Sequence, residues 1–285
     1  MGIVDQALRI VRGFGLSADG VTLASWPPGL SRADVERALA SAGRSLAGAD
    51  LTGARLGGLD LSGVDLSNAN LRNADLTGAD LSGADLTCAC LCGTDFTGAN
   101  LRGARLRDAG TRRSGTLHPT ILEHADLAGA DARGADFTRA RMAGATADRA
   151  RLDEASLHKA DLRGASLVDA TLRGANLRRA RMDDADFTRA DLHAADLSGG
   201  RAPGASFAAA RMRRANLCNV ILEGADLTAA DFTEADLSGA VLRAAQLRGI
   251  VLLDADLDST VLEAADTDGV DFSTAHNFLR APTRT

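Results

Sequence analysis

From Leu46 onward a large apolar residue returns at every fifth position: Leu51, Leu56, Leu61, Leu66, Leu71, Leu76, Leu81, Leu86, Leu91, Phe96, Leu101 and Leu106. Two residues before each of these centres stands a small residue, as at Ala49, Ala69, Ala74, Ala79 and Ala84, with Leu59, Val64 and Thr94 as larger variants. Both positions must face inward. A period of five matches neither the 3.6 of a helix nor the 2 of a strand, so the chain must turn once in every unit. Within a unit the small residue and the centre alternate in strand fashion, and the Gly, Asn, Ser and Thr after the centre supply the turn. The same residues recur too often for helix interiors.

The pattern resumes at Leu122 and runs through Leu127, Phe137, Leu152, Leu162, Leu172, Leu192, Leu217, Leu237 and Leu257 to Phe272, giving forty-four units in two blocks. Only Ala132, Ala147, Ala202 and Thr267 break the Leu, Phe or Met rule at the centre, and three of these four sit one unit before a phenylalanine. That order suggests volume compensation in a thin core. With eight Phe, one Trp and no Tyr, the chain lacks the aromatic bulk of a thick one.

Units such as Ala49-Asp50-Leu51-Thr52-Gly53, Ala69-Asn70-Leu71-Arg72-Asn73 and Ala225-Asp226-Leu227-Thr228-Ala229 resemble those of the pentapeptide-repeat family, over roughly residues 44–276. The resemblance implies an all-β fold, a right-handed quadrilateral β-helix with four units per coil. Forty-four units then make about eleven coils, a rod on the order of 50 Å long at about 4.8 Å per coil. It also implies a function. Qnr-like, MfpA-like and AlbG-like members bind DNA gyrase.

The blocks are expected to divide the chain into a non-repeat segment (1–43), a first repeat block (44–106), a loop insertion (107–121), a second block (122–276) and a tail (277–285). Leu106 and Leu122 are one residue out of frame, and Gly, Ser and Pro between them read as a basic surface loop carrying Arg107, Arg112 and Arg113. In the first segment Ile3, Ala7 and Ile10 share a helical side. A second helix is expected after Ser31, a suitable N-cap, with Asp34 in its first turn and Val35, Leu39 and Ala42 on a packed face. This segment reads as an N-terminal cap over an otherwise exposed solenoid end. Phe278 and Leu279 are expected to close the other end, in a tail too short for a substantial dimerisation helix.

No catalytic chemistry is expected. The five histidines are scattered, no nucleophile has a plausible orienting partner, and the glycines follow the five-residue frame rather than a phosphate-binding motif. Carboxylates twenty residues apart, such as Asp60 with Asp80 or Asp236 with Asp256, should stack outside the rod, where their simplest role is to bond local turn backbone. Cys88, Cys90 and Cys92 have neither disulfide-framework spacing nor a nearby His, so no metal and no cofactor is expected. The chain shows no apolar run long enough to span a bilayer and no signal region, so it is expected to be cytoplasmic and without a membrane partner.

The charge pattern is the remaining signal. The net charge is −6, which speaks against direct binding of nucleic acid, but its distribution is uneven. Residues 215–275 hold twelve acids against Arg243 and Arg248, whereas 107–214 carries nineteen basic residues against fifteen acidic. The candidate partner-binding residues are therefore Arg107, Arg112 and Arg113 with Asp226, Asp231, Glu234, Asp236, Asp254, Asp256, Asp258, Asp266 and Asp268. Two non-enzymatic roles follow. One, implied by the resemblance, is a DNA-mimicking rod that binds DNA gyrase or topoisomerase IV and modulates its inhibition, with homodimerisation to reach duplex length. The other is a protein-interaction scaffold with an unspecified partner.

Overall fold

The computed structural model describes residues 30–41, 44–110 and 118–278. The helix expected over Ile3–Ile10, together with Arg112, Arg113 and Leu279, lies outside them. Helix α1 spans Arg32–Ser41. Ser31 caps it: its hydroxyl accepts the Asp34 N–H, and its own N–H and hydroxyl donate to Asp34 Oδ2 at 3.1 and 2.6 Å. Leu30, Val35 and Ala38 are buried in the same apolar cluster as the first coils, and the Arg32 guanidinium donates to the Gly57 carbonyl at 2.7 Å.

From Ser45 on, the chain is a stack of coils held by parallel bridges between residues twenty apart. The bridges form four ladders. The first runs from Arg55 through Asp75 to Val261, the second from Asp60 to Asp266, the third from Ser45 to Val251, and the fourth from Asp50 to His276. The fourth ladder has twelve rungs and eleven intervals, about 50 Å of rod at roughly 4.8 Å per interval.

One five-residue unit accounts for its own backbone donors. In Ala225–Ala229, Ala225 N–H closes a turn on Leu222 O at 3.1 Å, and Asp226 N–H reaches Ala205 O in the preceding coil at 3.0 Å. Leu227 and Ala229 N–H reach Gln246 O and Arg248 O in the following coil at 2.9 and 2.8 Å. The fifth, Thr228 N–H, goes to Asp226 Oδ1 at 2.9 Å. The residue two after each centre up to Thr267 has φ near +60°, as position three of a type II turn requires, and is often not glycine: Ala229 has φ +59 and Arg139 φ +61.

Centres and small residues fill the interior. Leu51 through Leu106 and the alanines before them are almost wholly buried. Residues twenty apart lie over one another, so Phe187 and Phe207 stack with ring centroids 4.8 Å apart and planes 3° from parallel. Ala202, in the coil of Phe207, is fully buried.

The frame slip has a defined place. Four rungs, Asp95 with Ile121 through Gly110 with Asp136, are 26 apart, so one coil holds six extra residues. Arg107–Gly110 still follow the coil path, and pairing with the preceding coil is regained by His118, whose carbonyl accepts Gly93 N–H at 3.0 Å. The interruption is therefore narrower than the span 107–121 read from the sequence. Gly110, at φ +136, passes so close to the Asp136 backbone that a Cβ would collide with it. At the far end Phe278 stacks on Phe272, with centroids 4.3 Å apart.

Candidate interaction surface

Because the interior is solid, chemistry must lie outside, and the ladder residue before each centre is the first outward side chain. When it is Asp or Asn it serves its own turn. Asp75 Oδ1 accepts both the N–H and the hydroxyl of Thr77, at 3.0 and 2.7 Å, and these two bonds hold its carboxyl below the ordinary value. Asp131 and Asp161 are held low chiefly by the guanidiniums of Arg133 and Arg163, each bound through both oxygens. These acids are structural acceptors first. Ion pairs between adjacent coils add to them, including Arg189 with Asp169 at 2.7 Å and Arg201 with Asp183 at 2.8 Å.

At two rungs that are neither Asp nor Asn, Ser166 and Thr171, the coil before supplies the acceptor. Asp153 receives the Arg173 N–H at 3.1 Å and the Thr171 hydroxyl at 2.9 Å. Asp148 does the same for Val168 N–H and Ser166. Asp183 occupies the equivalent turn position under Pro203, which has no N–H to give, and its Oδ2 is buried without a hydrogen-bond partner. Sequence reading missed this exchange. Its signal was there, in an Asp after the centre eighteen residues before a Ser or Thr ladder position.

The sequence-selected acids do not form one surface. Asp226 and Asp266 are second-ladder rungs separated by Gln246, and Asp231 is a third-ladder rung. Asp226, Asp231, Asp236, Asp256 and Asp266 each accept, at Oδ1, a backbone N–H of their own turn. Glu234 and Asp254 sit in turns at φ +60 and +58, facing Arg214 at 2.7 Å and His276 at 3.4 Å. Asp268 lies in a turn beside Asp266, which is bound to Arg248 at 2.9 Å. Asp236, Asp256 and Asp258 are brought together, two successive rungs of the fourth ladder and the turn beside them. Arg107 lies in the turn after Leu106, far along the rod from all of these.

A concavity of about 920 Å3 opens at the C-terminal end, lined by Leu262, Ala265, Val270, Phe272 and Phe278 among others. Nearby Val251, Leu253 and Val261 are the exposed large apolar residues among those described, at 45, 48 and 36%. A shallower groove of about 470 Å3 runs along the turns bearing Arg102, Arg149 and Arg189. Among the described residues no three His, Cys, Asp or Glu side chains are placed to hold a metal ion. No helix among them is long and apolar enough to cross a membrane.

A solid β-helical solenoid whose polar residues either close its turns or stand free on its outside defines a class of surface-displaying rods. Within that class this chain belongs to the pentapeptide repeat family, whose model matches eight copies over residues 45–83, 74–109, 133–167, 165–201, 210–249 and 235–273. Among solved structures it is similar to HetL, a pentapeptide repeat protein involved in heterocyst differentiation regulation in the cyanobacterium Nostoc sp.; identity is 30%, over 84% of this chain and 96% of that one, with a TM-score of 0.40. It is also similar to QnrB1, a plasmid-mediated fluoroquinolone resistance protein, at 22% identity over 75% and 86%, TM-score 0.29. A pentapeptide repeat protein of the Arabidopsis thaliana thylakoid lumen is 30% identical over 44% and 69%, TM-score 0.17. No curated protein matches.

Proposed function

We propose that this chain is a non-enzymatic, cytoplasmic protein-binding rod that engages a protein partner through side chains on its ladders and turns. The observation that carries this reading is the charge arrangement on a solid core: acids and arginines are interspersed along the first and third ladders, the second and fourth carry acids broken by neutral rungs, and arginines in the turns pair with acids of adjacent coils. In the acidic C-terminal stretch no ladder carries acid on more than two successive rungs, which suits a mixed-charge protein contact better than a continuous phosphate-like stripe. We take the coils to wind right-handed in a quadrilateral section and segment 1–43 to cap the N-terminal end, a reading that the burial of Val35 and Ala38 supports.

Gyrase or topoisomerase IV as the partner is the second reading, favoured by the excess of acid over base in residues 215–275. A supercoiling assay with purified protein, with and without a quinolone, separates the two. Inhibition, protection or low-salt binding establishes the topoisomerase reading, and the absence of all three rejects it.

A further inference from the structure

One edge of the rod, the line of turns joining the fourth ladder to the first, has a charge arrangement of its own. It places Arg139, Lys159 and Arg179 at the same position in three successive coils, exposed and at φ +61, +58 and +56. None of the three makes an ion pair among the described residues, whereas most arginines elsewhere on the rod do. Like charges in a row repel, and three stacked cations without a counter-charge on their own rod are an arrangement that the repeat itself does not require. Their field reaches His158 beside them: burial, then Lys159, with Arg178 and Arg179 adding, pushes its imidazole toward the neutral form.

The opposite charge lies further along the same edge. Asp236 and Asp256 flank it on the fourth ladder, and Asp258 lies in the turn itself. Oδ1 of Asp236 and of Asp256 serves the turn backbone at 2.8 and 2.9 Å, and the Oδ2 atoms have no ion-pair partner among the described residues. Between the two groups the turns carry only short side chains, Ser198, Gly199, Cys218, Asn219, Ser238 and Gly239, and the long side chain flanking them, Arg201 on the first ladder, is held by Asp183 at 2.8 Å.

We propose that this edge is a self-association surface on which a second copy of the chain docks antiparallel, about a two-fold axis level with Gly199. Such an axis brings the level of Arg139 opposite that of Ser259 and the level of Lys159 opposite that of Gly239. Arg139 then faces Asp256 and Asp258, Lys159 faces Asp236, and the symmetry makes each pair twice. Short residues at the centre let the edges approach. The match is one of repeat length: both charged rows recur once per coil, about 4.8 Å, so aligning one pair aligns the next. A nucleic acid strand rises about 3.4 Å per phosphate and does not share that spacing. The contact spans six coil intervals of one narrow edge, less than a standard stable interface, so it forms at low salt and dissociates as charge is screened.

Sedimentation velocity of the full chain across ionic strength tests this. The wild type is expected to be dimeric at low salt and monomeric at high salt. R139E/K159E, the two cations that face acids across the axis, is expected to weaken association at least about tenfold. D236N/D256N/D258K is expected to do the same while keeping the turns, because Asn retains the Oδ1 acceptor, with circular dichroism confirming the fold. Mixing the two variants should restore a heterodimer, since each then presents the charge that the other lacks. A wild type monomeric at all salt concentrations, association untouched by both variants, or failure of the mixture to pair overturns the proposal. So does retention of duplex DNA by the wild-type edge without self-association.

Discussion

Replacing Asp153 with alanine removes an acceptor that belongs to one coil and serves the next. Its two oxygens take the Arg173 N–H at 3.1 Å and the Thr171 hydroxyl at 2.9 Å, both charge-assisted bonds at a half-buried position. A bond to a charged group contributes about 1.5–3 kcal/mol when fully shielded, and an N-cap acceptor about 0.5–2, so partial access of water sets the expected loss at about 1–2 kcal/mol. In a chain of this size that lowers the thermal midpoint by roughly 2–8 °C. The reasoning goes further, because most other units obtain the same acceptor from their own ladder residue. Thr171→Asp should therefore rescue Asp153→Ala, the new carboxylate lying between the rungs of Arg151 and Asp191. Thermal and urea unfolding of the wild type, both single variants and the double variant form a double-mutant cycle. A coupling of about 1 kcal/mol in favour of the double variant is expected. Strict additivity would refute the claim that the two positions fill one role.

Other outcomes follow from the same geometry. Gly110→Ala drives a Cβ into the Asp136 backbone at φ +136 and should cost about 2–4 kcal/mol by chemical denaturation, whereas Gly53→Ala, with open space around it, should cost only about 1 kcal/mol. Ala229→Gly relieves a left-handed alanine at φ +59; the gain exceeds the added freedom of the unfolded chain, so stability should rise by about 0.5 kcal/mol. Leu152→Ala empties a fully buried centre and should cost about 2.5–4 kcal/mol in the same assay. Asp131 and Asp161 have folded-state values below the ordinary 3.8, so their contribution is complete above that pH and is lost as pH falls through the lowered values. The thermal midpoint should be flat from neutrality to about pH 5 and fall below about pH 4, less steeply in D131N/D161N.

Much of this architecture could be read from the chain. Leu at every fifth position and Ala two before it identify the interior, because a period of five forces a turn in each unit and leaves only two inward positions. Ser31 and Asp34 mark the start of α1 for an equally local reason. What could not be read depends on the twenty-residue rung. Asp153 looks like a surface acid until the coil above it brings Arg173 N–H within reach, and Pro203 looks like a tolerated oddity until Asp183 is found beneath it. The same holds for the candidate surface. Counting charge along the sequence locates an acidic stretch, but Asp226, Asp231 and Asp236 point from three different ladders, and only stacking sets Asp236 beside Asp256 and Arg139 in line with Lys159.

The central claim is that this rod works through its outside, on a protein partner. The most direct test is capture from the native host's extract, with cross-linking and mass spectrometry, comparing the wild type with variants neutralised at Asp226, Asp236, Asp258 and Asp268 by Asn and with a variant of unchanged surface and a weakened core, Leu152→Ala. The account predicts one dominant cross-linked protein whose yield falls with the surface variants while their circular dichroism stays that of the wild type, and whose yield is unchanged by Leu152→Ala at temperatures where that variant is folded. Recovery indifferent to every ladder and turn substitution would contradict it.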